Sequence, residues 1–247
     1  MRKTFLICRR ELGVLFGGPL AWVLAAVFVL LTGYFFYSDL VFFVLFGGAS
    51  LPAGLWRFVF LDYRLVALLV LPLLSMRLLA EERKLGTLEL LWTYPVRDVE
   101  IIAGKFIACL AVVTLMLAGT AVYPLLLVRF YPVAAGPLVA GYLGLWMLAA
   151  AFVACGLFVS ALTENQLLAG AATYGVLLFF WVVTWNEAAM NEVTRHLLLP
   201  FSLFDRFYTF ALGAVDTGNV SYLVLFTAAF LCFTFFALDA RRWRGVR

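Results

Sequence analysis

The run Glu81-Glu82-Arg83-Lys84-Leu85-Gly86-Thr87-Leu88-Glu89-Leu90-Leu91-Trp92-Thr93-Tyr94-Pro95 is the most polar segment of a chain that is otherwise nearly all lipid-soluble. Neighbours on a helix recur at i+3 and i+4, so Leu85, Leu88 and Trp92 fall on one side and Glu82, Gly86 and Glu89 on another. The spacing predicts a short surface helix between two membrane spans. Its apolar side packs inward, and its other side offers two carboxylates flanking a gap at Gly86. Pro95 cannot continue a helix, and Asp98 is placed to cap a new one that begins near Val99.

The composition around this run bounds the fold class. Of 247 residues, 66% are hydrophobic and 13% charged, with a mean hydropathy of +1.05, whereas soluble domains carry about 25% charged residues. The chain reads as an all-α integral membrane protein. A helical span needs ~20 apolar residues to cross ~30 Å of hydrocarbon, so the length holds about six spans with short connections and no separate soluble enzyme domain. The net charge of +4 comes from Lys and Arg gathered mainly at span ends, where membrane orientation puts them. It is a topological signal and calls for no nucleic acid. Cys8, Cys109, Cys155 and Cys232 show no zinc or redox spacing and read as small buried hydrophobes. No apolar core closing on a small-residue cleavage site follows the basic amino terminus, so the first span is expected to stay as an anchor.

Residues 2–16 place Phe5, Cys8, Leu12, Leu15 and Phe16 on one arc and Arg2, Lys3, Arg9 and Arg10 on the neighbouring one. This is the pattern of an interfacial helix with a basic anchor, ended by Gly17-Gly18-Pro19. Spans are predicted at about 20–37, 59–80, 100–127, 137–161, 167–185 and 220–238. The apolar stretch 40–61, with Gly47, Gly48, Pro52 and Gly54, decides the topology of everything after it. If it does not cross, Lys and Arg number 4 in residues 1–19, 5 in 77–105 and 4 in 239–247 on one side, so 13 face 5 on the other. If it crosses, the tally is 9 against 9. The positive-inside rule therefore favours six spans with both termini and the polar run in the cytoplasm. Residues 40–58 then read as an outer loop dipping partly into the bilayer, its backbone shielded by protein.

The fourth span carries Gly141, Gly144, Ala150, Ala154, Gly156 and Ser160, and the fifth Gly170, Ala171 and Gly175, a density of small residues that lets helices approach closely. Only Leu162-Thr163-Glu164-Asn165-Gln166 joins them, which makes a tight antiparallel hairpin. Further on, Ser202-Leu203-Phe204-Asp205 has capping-box spacing, and an apolar helix can run to Gly213 before a turn at Asp216-Thr217-Gly218-Asn219.

Several chemistries are excluded. No Gly-x-x-x-x-Gly-Lys-Ser/Thr occurs, and Gly104-Lys105 is followed by Phe106, so the chain has no loop that cradles phosphate and no ATPase activity of its own. The single His196 gives neither a zinc-hydrolase motif nor a Ser-His-Asp set, so no catalytic residue and no metal ligand is assigned. Asp62, Arg64 and Arg129 lie toward outer span ends and Glu164 toward an inner turn. The apolar mid-membrane region argues against a proton-coupled carrier or a cation channel. Energy for any work across the membrane must enter from elsewhere, and the polar run is the entry point.

The order E-E-R-x-x-G-T-L-E-L-L-x-x-x-P, followed by Gly104-Lys105, resembles the loop between the second and third spans of ABC type-2 exporter permeases. There, the resemblance implies, a cytoplasmic coupling helix docks into a partner ATPase. It carries that role to Glu81, Glu82, Arg83, Gly86, Thr87, Glu89, Pro95, Gly104 and Lys105. The 202–219 region resembles the family's external helical hairpin before the last span, with Phe204, Asp205, Gly213 and Asp216. Gly18-Pro19, Leu162-Thr163-Glu164-Asn165-Gln166 and the Phe204-Asp205 and Gly213-Ala214-Val215-Asp216-Thr217 pieces resemble the gliding-motility type of permease. The resemblance implies two ABC ATPase subunits that hold the ATP and Mg, with no cofactor on this chain, and a second permease chain, identical or paralogous. It further implies an auxiliary membrane subunit with a large outer domain, and residence in the bacterial cytoplasmic (inner) membrane. Two functions follow: ATP-driven export, or transmission of force from the ATPase to an outer-side partner without transport.

Overall fold

The computed structural model describes residues 2–46, 51–86, 97–130, 135–185 and 202–244. These residues form helices and no strand: α1 (Arg2–Gly17), α2 (Pro19–Phe46), α3 (Leu51–Ser75), α4 (Arg77–Lys84), α5 (Asp98–Thr120), α6 (Val122–Val128), α7 (Ala135–Leu162), α8 (Gln166–Trp185), α9 (Leu203–Ala211) and α10 (Thr217–Arg244). In hydrocarbon each backbone N–H and C=O must be satisfied within its own segment, and a helix does this. Five stretches are long and apolar enough to cross a membrane: Pro19–Leu45, Gly54–Lys84, Asp98–Val128, Ala135–Leu162 and Thr217–Ala240. α8 adds a shorter apolar run, Gln166–Val182.

The α5–α6 path bends at Ala121 for a reason written in the sequence. Pro124 lacks the N–H that would bond the carbonyl four residues back, and its ring crowds that turn. The α3–α4 path breaks at Met76, four residues after Pro72.

Within residues 40–58, expected as an outer loop, 40–46 and 51–58 are helical, and 47–50 lie outside the described residues. α2 runs unbroken to Phe46 and α3 is helical from Leu51, so both sides of the stretch belong to long helices. Val41-Phe42-Phe43-Val44-Leu45 is as apolar as the span before it, and the two helices close on each other. The Phe43 and Phe58 rings stand 5.5 Å apart, and a Cβ on Gly54 would lie 3.0 Å from Phe43. At 1.5 Å per residue α2 is ~42 Å long, more than the ~30 Å of hydrocarbon.

α7 is the central helix. The apolar window of this helix is 78% buried, and it packs against α3, α4, α5, α8, α9 and α10. Its small residues permit this: a Cβ on Gly141 would stand 2.0 Å from the Phe60 ring, one on Gly144 2.4 Å from Phe210 and one on Gly156 1.9 Å from Ser75 Oγ. Close helix approach through bare backbone is how helices associate when lipid offers no hydrophobic contrast. α10, by contrast, keeps most of its apolar surface outward, as a lipid-facing helix does.

Two smaller expectations change. Asp216-Thr217-Gly218-Asn219 is not a free turn but the start of α10: the Asp216 side chain accepts the Gly218 N–H at 3.2 Å and its carbonyl accepts that of Val220 at 3.0 Å. Of the four cysteines, Cys109 and Cys155 are buried, but Cys8 is half-buried and Cys232, on the outward side of α10, is exposed.

Candidate functional site

The site is built up from α1. Thr4, Ile7, Cys8, Glu11, Leu12 and Leu15 recur at helical spacing and face the protein, while Phe5 points outward at 68% exposure. The inward face is thus rotated from the apolar arc expected from sequence, and it includes a carboxylate. Gly104 of α5 sets the closeness of the contact, since a Cβ there would stand 2.7 Å from Ile7 Cγ2 and 3.3 Å from the Thr4 carbonyl.

The next residue, Lys105, explains the carboxylate. The side chain is buried, and its Nζ lies 3.0 Å from Glu11 Oε2 and 3.0 Å from Glu82 Oε1. One ammonium therefore joins α1, α4 and α5. Arg10, exposed on α1, lies near enough to Glu82 to act weakly on its charge. Desolvating such charges costs several kcal/mol each, offset by their attraction only while the set is complete. Burial, and after it the charge of Glu11, pushes the Cys8 thiol above its ordinary range, so it stays a thiol at neutral pH.

α4 is fixed at its start by another helix. The first four N–H groups of a helix have no partner within it, and Met76, the residue before α4, supplies no side-chain cap. Ser160 of α7 takes the role: its hydroxyl accepts the Leu79 and Ala80 N–H groups at 3.0 and 2.9 Å and donates to the Met76 carbonyl at 3.0 Å. Leu78, Leu79 and Ala80 are buried beneath it. Arg83 closes the other end, donating to the Ala161 carbonyl at 2.6 Å and pairing with Glu164 at 3.2 Å.

α4 then stops. Gly86 has φ +67°, the left-handed conformation in which a glycine ends helices. Gly86 is therefore a helix terminus and not a gap in the middle of a longer helix, and Leu85, expected to pack inward, is 67% exposed. Thr87, Leu88, Glu89, Trp92 and Pro95 lie outside the described residues. At Arg97 the chain is described again: its N–H donates to Glu100 Oε2 at 3.1 Å. The residue before α5 is thus Arg97, capped by reach-back from Glu100, and Asp98 is the first helical residue and not the cap.

The structure brings Glu82, Gly104 and Lys105 together against α1, turns Arg83 to the end of α7, and leaves Glu81 half-exposed and Lys84, Leu85 and Gly86 at the surface. Lys3, Arg9 and Arg10 are exposed along α1, with Arg2 at its start. Two residues of the site escape a sequence reading. Glu11 is the only acidic residue before Asp39 and shares a face with Ile7 and Leu15. Ser160 follows Gly156 by one helical turn in an apolar run, where it looks like one more small packing residue.

At the opposite end, Phe204 packs its ring 5.9 Å from Phe152 and 5.7 Å from Trp181, and its carbonyl accepts from Arg64 at 3.3 Å. The Asp205 N–H donates to Ser202 Oγ at 3.1 Å, the cap its spacing announced. Gly213, at φ +87°, ends the turn after α9, and a Cβ there would stand 2.9 Å from Pro137.

Among the described residues, the geometry is that of a short helix, α4, tied at both ends to α1, α5 and α7, with the chain leaving it at the surface through Leu85 and Gly86. No curated protein matches the chain. The family model described as ABC-2 family transporter protein matches residues 6–241, nearly all of it. With that match and its long apolar helices, the chain is a multi-pass membrane protein that belongs to the ABC-2 transporter family.

Proposed function

We propose that the chain is the permease subunit of an ATP-driven exporter-type complex, and that a separate ATPase docks on the segment from Glu81 to Pro95. The observation that carries this reading is the bracing of α4. A push on the loop after Gly86 meets a helix tied through Lys105 to α1 and α5, and through Ser160 and Arg83 to α7. Contact with the ATPase falls to Gly86, Thr87 and Glu89, while Glu81, Glu82, Arg83, Gly104 and Lys105 act behind them as positioning residues. Two such chains, identical or paralogous, work with two ATPase subunits that hold ATP and Mg. The charge bias supports a cytoplasmic side for both termini and for this segment, and the resemblance supports a bacterial inner membrane. The short motifs at Gly18-Pro19 and Gly213 to Thr217 favour the gliding-motility type within the family.

One feature favours transmission of force to an outer-side subunit. α7 joins Ser160, at the braced end, to Gly144, on which α9 sits through Phe210, so one rigid helix connects the loop base to the far end of the bundle.

The test is affinity purification of the tagged chain from its own membranes, with the bound ATPase measured by mass spectrometry. Gly86→Trp is expected to lower bound ATPase by at least about tenfold, the effect of spoiling a contact centre. Gly86→Ala bears the same backbone strain with little bulk and is expected to retain it. Normal ATPase recovery and ATP-dependent activity with Gly86→Trp would sink the docking assignment.

A further inference from the structure

A groove of about 360 Å³ opens between α1, α2 and the α3–α4 junction. Its floor is apolar, formed by Leu20, Ala21, Leu74 and Leu78, with the exposed Val14 at its mouth, and its rim is charged. We propose that this groove binds one glycerophospholipid with a zwitterionic headgroup, its phosphate between Arg10 and Arg77 and its amine toward Glu81.

Three observations carry the assignment. The first is which charges remain for a ligand. Lys105 is engaged by Glu11 and Glu82 at 3.0 Å each, whereas Arg77 reaches only a loose contact with Glu81 at 3.9 Å, and its buried Nε has no hydrogen-bond acceptor. Two guanidinium groups on one rim suit a phosphate diester, which arginine binds with paired, charge-assisted hydrogen bonds.

The second is the balance of the rim. Arg10, Arg77 and Lys105 face Glu11, Glu81 and Glu82, three cations and three carboxylates. A purely anionic headgroup would leave this set with excess negative charge, whereas a phosphate with an amine matches it.

The third is where the groove lies. Its wall is α1, whose outward surface mixes Phe5, Leu6 and Val14 with Lys3, Arg9 and Arg10, the composition of a helix lying in the headgroup region. From the rim the apolar floor continues onto Leu20 and Ala21 of α2 and Leu74 of α3, both helices long enough to cross the membrane. A headgroup at the rim with acyl chains along that floor meets both surfaces. A free phosphate meets only one.

The test reconstitutes the whole chain in nanodiscs of equal parts phosphatidylethanolamine and phosphatidylglycerol, then releases it for native mass spectrometry. The wild type is expected to retain one phosphatidylethanolamine per chain. Arg10→Gln with Arg77→Gln is expected to retain about tenfold less, the loss of roughly one charge-assisted contact in free energy. Val14→Trp, which fills the groove mouth from an exposed position and leaves every charge in place, is expected to lose the lipid as well, and it decides the matter should the double variant not fold. Equal retention of phosphatidylglycerol, or retention unchanged in the folded variants, overturns the proposal. Displacement of the lipid by millimolar inorganic phosphate also overturns it, since that is the behaviour of a simple anion site.

Discussion

At the end of the bundle that carries α4, one ammonium, two carboxylates, a serine hydroxyl and a guanidinium join α1, α4, α5 and α7. At the end that carries α9, rings and backbone meet instead: Phe210 on Gly144, Phe204 on Phe152 and Trp181, and Pro137 on Gly213. Polar ties there reinforce the packing, as where Arg206 reaches Asn219 at 3.0 Å and Asn219 reaches Thr209 at 2.7 Å. The difference is one of mechanics. A charged joint tolerates small rotation because attraction falls slowly with distance, and it fails when one charge is lost. A ring seated on a glycine resists movement in any direction and fails when a carbon atom is added. Under the proposed coupling, the first suits an input that moves and the second a cap that follows as a rigid piece.

The strongest attempt to break this comparison removes the ammonium. Lys105→Met keeps length and apolar bulk but leaves Glu11 and Glu82 facing each other without their cation. A buried ion set deprived of one partner is destabilised by about 4 kcal/mol. Thermal unfolding in detergent should show a large drop in Tm, and α1 should become accessible to protease before the rest of the chain does. A Tm close to wild type would mean that water enters the joint and the charges are not what holds α1.

At the other end the corresponding insult is steric. Gly144→Leu puts a side chain where a Cβ alone would stand 2.4 Å from Phe210. Overpacking of this kind costs about 3 kcal/mol, and it should displace α9 while leaving α1 protected, the reverse of the lysine variant. Combined in one chain, the two changes should add to within ~0.5 kcal/mol, because Lys105 on α5 and Gly144 on α7 share no partner and lie toward opposite ends of the bundle. A strong coupling between them would show that the two ends already share one cooperative unit.

How much of this could be read from residues alone follows the same division. Helices were legible wherever apolar composition ran long, and the Gly-rich face of α7 announced close packing because small residues have few other uses there. The expectation of an outer loop at 40–58 rests on the charge tally, which counts crossings and does not report helix on either side of 47–50. Gly54 lies inside α3, where Phe43 of the neighbouring helix needs the space. Gly86 was misread for another reason. Helical spacing carried the pattern through it, while the basic last turn Arg83-Lys84 followed by glycine is itself a stop signal. Glu11 was passed over because its partner is 94 positions away in sequence, and no periodicity reports an ion pair that folding creates.

Ser160 gives the finest test, because sequence and structure assign it different work. As a packing residue it would be replaceable by alanine, which is smaller by one oxygen and a good helix former. In the structure its hydroxyl is the cap of a helix to which it does not belong, satisfying the Leu79 and Ala80 N–H groups and the Met76 carbonyl at once. Ser160→Ala leaves those donors buried with no acceptor, a loss of about 2 kcal/mol by the usual cost of unsatisfied polar groups and missing caps. Ser160→Thr keeps the hydroxyl but adds a methyl group one turn from Gly156, where a Cβ would already meet Ser75. It should therefore restore amide protection at Leu79 and Ala80 without restoring full stability. Hydrogen exchange resolves the two effects. If the alanine variant shows wild-type protection at the start of α4, Met76 and water cap that helix unaided, and the brace from α7 to the loop base is weaker than the geometry implies.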